Sequence, residues 1–97
     1  MSRSAYILTF DRDNITNYLD LHNGIVSIPE VITWFHYIKS SYILISSEPD
    51  ATLLNSKLLA VMGKKRYLLI EVDLSNRNGR LPRDAWEWLR KQSDKLT

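Results

Sequence analysis

Asp11-Arg12-Asp13 sets two carboxylates one residue apart, directly after an apolar run. Such a pair can hold a divalent cation, Mg²⁺ or Mn²⁺, together with bound waters. An ion held there activates water against a phosphodiester, so Asp11 and Asp13 are the metal candidates and Asp11 a catalytic one. The competing reading is structural, because carboxylates ahead of a helix are stabilised by its N-terminal dipole. His36 is the second catalytic candidate, since imidazole changes charge between pH 5 and 8. A histidine on a strand face is more often packed and hydrogen-bonded, and His22 belongs to a different predicted element. Five cations complete the set: Arg12, Lys39, Lys64, Lys65 and Arg66. Positive charge gathered near a helix end suits phosphate oxygens. Lys64 to Arg66 equally suit the C-terminal dipole of the helix before them. With no cysteine in the chain, thiolate nucleophiles, zinc–thiolate centres and disulfides are excluded.

The elements that must position these residues follow from periodicity and punctuation. Ala5 to Phe10 reads as a strand. Thr16 then caps a helix with an apolar stripe at Tyr18, Leu21, Ile25 and Ile28, weakened by Gly24 and ended by Pro29. Val31 to Ile38 and Tyr42 to Ser46 read as strands joined by the tight turn Lys39-Ser40-Ser41. Asp50 caps a second helix whose buried stripe is Leu54, Leu58, Val61 and Met62, with Gly63 as its stop. Tyr67 to Leu74 is a fourth strand. A loop over 75–80 leads to a last helix, with Pro82 near its first turn and Trp86 and Leu89 as its packing edge.

Strand, helix, strand, strand, helix, strand is the split βαβ repeated twice, so residues 1–97 read as one α+β domain. The expected fold is a ferredoxin-like βαββαβ sandwich, with a four-stranded antiparallel sheet plus a C-terminal helix. Right-handed crossovers and the hairpin of strands two and three put strands one and three at the centre. That topology gathers Asp11, Arg12 and Asp13, the Lys39 turn and the Lys64–Arg66 turn at one end of the sheet. Arg77, Arg80 and Arg83 fall at the opposite end.

Both central strands are apolar on both faces, whereas half-buried antiparallel strands ordinarily alternate apolar with polar. A second cover is therefore expected beyond the two crossover helices: the C-terminal helix, a second copy of the chain, or stacked bases. Tyr6, Phe10, Trp34 and Tyr42 are the residues expected on this second, dimer-forming face. RNA-recognition modules stack bases on aromatics of these two strands. The third strand here, Ser41-Tyr42-Ile43-Leu44-Ile45, lacks the basic and glycine-containing pattern of those modules. Alternation splits the aromatics of "TWFHYIKSSYILIS" between the faces, Trp34 and His36 on one, Phe35 and Tyr37 on the other. It leaves open which pair meets the helices.

The net charge of +2 does not by itself demand a nucleic-acid partner. No apolar run approaches the roughly 20 residues of a membrane span, and the first residues lack a cleavage pattern. A cytoplasmic protein without a membrane partner is expected.

"YILTFD" (Tyr6 to Asp11), "TWFHYIKSSYILIS" (Thr33 to Ser46), "YLLIEVDL" (Tyr67 to Leu74) and "AWEWL" (Ala85 to Leu89) resemble the small bacterial proteins of the SinR family. That group is similar in fold to the CRISPR-associated ferredoxin-like endoribonucleases and the VapD-like proteins. The resemblance implies a homodimer. It also implies a metal-associated aspartate at the end of strand one, a position Asp11 occupies. The aromatic hairpin departs from the nuclease pattern. Two function classes thus remain beside binding of nucleic acid or another phosphorylated partner through the basic end. One is a metal-dependent ribonuclease; the other is a protein-interaction module with no enzymatic activity.

Overall fold

A computed structural model describes residues 3–12 and 17–96. The order is β1 (Ser4–Phe10), α1 (Tyr18–Val26), β2 (Val31–Ile38), β3 (Ser41–Ser46), α2 (Ala51–Met62), β4 (Tyr67–Val72) and α3 (Arg83–Leu96). The four strands form one antiparallel sheet in the order β2-β3-β1-β4, with β1 and β3 central as expected. This α+β arrangement is compatible with a ferredoxin-like fold.

Local chemistry explains most element ends. Asn17 caps α1, its side chain accepting from the Asp20 backbone N–H. Thr16, the cap expected from sequence, lies outside the described residues. Asp50 caps α2 through the Thr52 N–H, and Gly63 ends that helix at a positive φ of 61° that L side chains rarely adopt. β4 stops at Val72, two residues earlier than the sequence suggests. There the Asp73 carboxylate accepts from the Ser75 N–H and turns the chain away from the ladder.

Two cores sandwich the sheet. Tyr6, Leu8 and Phe10 of β1 and Tyr42 and Leu44 of β3 pack with Leu21, Ile25, Leu54, Leu58 and Met62 of α1 and α2. On the other side Ala5, Phe35, Ile45 and Leu74 pack with Ala85 and Leu89 of α3. The C-terminal helix is thus a second cover, which accounts for central strands apolar on both faces. Its cover is partial. Ile43, Ile7 and Ile70 form one cross-strand row with Phe35, and Ile70 and the neighbouring Leu68 stand 49% and 57% exposed.

A register shift in β2 between Val31 and Thr33 decides how the hairpin aromatics divide. Val31 packs with the α1/α2 core, yet Phe35, an even number of residues later, packs with α3. Strict alternation would put both on one face; the bulge reverses the phase. Trp34 and His36 consequently meet α1, while Phe35 and Tyr37 face α3.

Gly24, which weakens α1 in sequence terms, is the point where α1 crosses α2. A Cβ at this position would lie 2.8 Å from Val61 Cγ1. Alanine gains about 1 kcal/mol of helix propensity over glycine. Overpacking against a stiff β-branched neighbour costs about 1–3 kcal/mol. Urea unfolding should therefore show Gly24→Ala to be destabilising in the wild-type background. In a Val61→Ala background the same change should be neutral or stabilising.

Candidate nucleic-acid interface

The sheet ends bring three separate turns together. The Phe10 N–H donates to the Ser40 carbonyl at 3.0 Å, and the Asp11 N–H to the Arg66 carbonyl at 3.1 Å. These two bonds fasten the end of β1 to the β2–β3 turn on one side and to the α2–β4 turn on the other. Arg12, Lys39, Lys64, Lys65 and Arg66 are thereby collected at one end of the molecule, as the topology predicts.

Their local duties differ. Arg12 donates Nε–H to the Tyr18 hydroxyl, with its guanidinium carbon 4.8 Å from the Tyr18 ring centroid. That contact holds the arginine against α1. Lys65 is half-buried and its Nζ reaches the Met62 carbonyl at 3.5 Å, so it complements the C-terminal end of α2. Lys39, Lys64 and Arg66 are exposed and have no ion-pair partner among the described residues. The cations free to meet a ligand are these three, beside Arg12. At the opposite end Arg77 donates to the Leu74 carbonyl and Arg83 pairs with Glu87, while Arg80 is exposed.

Asp11 is exposed at the same basic end. Asp13 lies outside the described residues, and among those described no three His, Asp or Glu side chains gather as a metal-holding group. Tyr6, Phe10 and Tyr42 do not lie on the open face expected of them. They are 0%, 6% and 2% exposed and point under α1 and α2, because β1 and β3 direct their larger side chains toward the two-helix core. Bases have no access to them there. Trp34 stays 40% exposed on the edge strand, also on the helix side.

His36 sits in a cluster that sequence reasoning missed. His22 of α1 and His36 of β2 converge on Tyr42 of β3. His22 Nδ1 is 2.8 Å from the Tyr42 hydroxyl, and the His36 ring stacks on the Tyr42 ring at 4.0 Å with an interplanar angle of 2°. The two imidazole centroids are 6.4 Å apart, and Trp34 meets His22 edge-on at 4.7 Å. His36 Nδ1–H donates to the Ser41 carbonyl at 3.0 Å. Burial pushes the Tyr42 phenol up to about 12, so it holds its proton through the neutral range. The available signal was helical spacing: His22 follows Tyr18 by four residues, at the border of the α1 stripe facing β2.

No protein-family model, curated protein or solved structure matches the chain. No helix among the described residues is long and apolar enough to cross a membrane.

Proposed function

We propose that this chain is a ferredoxin-like, SinR-family homodimer of the cytoplasm that binds the phosphate backbone of nucleic acid through its basic end. The observation that carries the reading is the convergence of three turns fastened by the Phe10–Ser40 and Asp11–Arg66 backbone bonds. It presents Lys39, Lys64 and Arg66 as exposed cations, with Arg12 pre-oriented on Tyr18 beside them. Lysine and arginine that neutralise phosphates release condensed counterions, which makes affinity fall with salt. The exposed apolar row around Ile70 and Leu68 supports pairing with a second copy, since patches of this kind mark interfaces.

Fluorescence anisotropy with a labelled oligonucleotide across a salt series tests the reading. Each single-strand or duplex phosphate neutralised contributes about 0.7 or 0.9 to the slope of log affinity against log salt. Lys64→Ala/Arg66→Ala should therefore flatten the slope by about 1.4–1.8, with the fold intact by circular dichroism. Absence of binding by the wild-type chain in low salt would refute the proposal. A matched acidic peptide that competes equally well would point instead to a protein partner.

A further inference from the structure

β4 is an edge strand, with β1 on one side and no strand among the described residues on the other. The opposite edge, β2, is interrupted by two register shifts, and bulges of that kind twist an edge away from a new neighbour. β4 has no such protection. Its ladder with β1 runs unbroken from Ala5–Val72 to Phe10–Tyr67, and "YLLIEV" holds neither lysine nor proline. On the helix side, α2 leaves a groove beside Tyr67, Leu68 and Leu69 instead of closing over them. On the other side, α3 packs against Phe35, Ala5 and Ile45, and Leu68 and Ile70 stay exposed.

The backbone of this edge is set for a further strand. The Asp11 N–H donates to the Arg66 carbonyl, in step with the β1–β4 register. Alternation then turns the N–H and C=O groups of Leu68 and Ile70 toward β1, and those of Tyr67, Leu69 and Glu71 outward. An antiparallel neighbour suits this edge best when apolar side chains stand opposite both Leu68 and Ile70. A second β4 supplies them when Leu69 lies opposite Leu69: Leu68 meets the partner's Ile70, and Tyr67 meets the partner's Glu71. A shift of two residues one way sets Ile70 against the partner's Arg66. The same shift the other way sets Leu69 against the partner's Glu71. Charge agrees with antiparallel pairing. Lys64-Lys65-Arg66 lead into the strand, and Glu71 and Asp73 close it. The basic start of one copy therefore lies beside the acidic end of the other, with Lys65 opposite the partner's Asp73. Parallel pairing would set like charge against like.

We propose that two copies of this chain join β4 to β4 about a two-fold axis at Leu69, forming one continuous eight-stranded sheet. This rests on the homodimer half of the reading above and specifies its interface. The nucleic-acid half does not depend on it. The two basic ends fall at diagonally opposite corners of the joined sheet, one from each copy.

The first test is light scattering of the full chain, which should give twice the 11.3 kDa of one copy. Glu71→Pro removes an outward N–H and spares the ladder to β1, the one setting in which an edge strand accepts proline. It should be a monomer with an unchanged circular dichroism spectrum. A second test reads the register and needs no proline. Opposite residues of a non-hydrogen-bonded pair have Cα atoms about 4.5 Å apart, within disulfide reach. The chain has no cysteine of its own. An equal mixture of Leu68→Cys and Ile70→Cys chains, oxidised by dissolved oxygen, should therefore give several-fold more covalent dimer than either variant alone. A folded Glu71→Pro chain that remains dimeric overturns the proposal in favour of stacked sheet faces. So does cross-linking no greater in the mixture than in the single variants. A monomeric wild type overturns it together with the homodimer reading and leaves the edge to a strand of another protein. Binding of nucleic acid, read by its own salt series, stands or falls separately.

Discussion

Phe35→Ala should lower the stability of this domain by about 3–5 kcal/mol, the range for removing a buried phenylalanine side chain. Phe35 is 4% exposed, its ring centroid is 5.3 Å from that of Trp88 on α3, and it packs with Ala5, Ile45, Leu74, Ala85 and Leu89. The loss is a large share of the roughly 5–15 kcal/mol that holds a domain folded. It also falls on one side of the sheet. α3 touches the rest of the molecule through this small cluster, so the cavity should loosen the helix before the α1/α2 side opens. Urea unfolding followed by tryptophan emission should move to lower denaturant, and Trp88 should report an earlier transition than the backbone signal. Coincident transitions with unchanged midpoint would mean that α3 does not depend on Phe35.

Leu44→Ala is the matching experiment on the other face. Leu44 is fully buried, faces Tyr6 across the ladder and belongs to the cluster under α1 and α2. Removing its side chain should cost about 2–5 kcal/mol, since a central strand between two helices and two neighbouring strands collapses poorly around a void. Here the sheet itself loses its packing, so all probes should shift together. The contrast between the variants separates two cores that share one sheet: a staggered transition for Phe35→Ala, a single displaced one for Leu44→Ala.

Most elements were legible because their signals are local. Asp50 and Gly63 bracket α2 by cap chemistry, and β1 and β3 announce themselves by apolar runs between turns. The central placement of β1 and β3 followed from crossover handedness together with the β2–β3 hairpin. The grouping of Arg12, Lys39 and Lys64–Arg66 was legible for the same reason: topology decides which turns share an end. Orientation of side chains was not. Tyr6, Phe10 and Tyr42 were expected on the open face but lie under the helices, because period-two alternation gives two sets without saying which one meets α1 and α2. The β2 aromatics do alternate, Trp34 and His36 against Phe35 and Tyr37, but the shift between Val31 and Thr33 puts Val31 out of phase with them, and nothing in "VITWFHYI" marks a bulge. The His22–Tyr42–His36 cluster required three elements to be docked in the right register. Its members are distant in sequence, and neither histidine stands in a spacing that signals a site.

The bulge in β2 also sets how this chain tolerates change in length. The loop over 75–80 joins β4 to α3 on the surface, and an added residue there lengthens a connection at little cost. In β2 a single residue gained or lost exchanges the hairpin's inside and outside. Trp34 and His36 would turn toward α3, and Phe35 would be driven into the space that now holds an imidazole stacked on Tyr42. One strand therefore works as a phase key between two cores, and a one-residue indel there changes the identity of the surface as well as its stability.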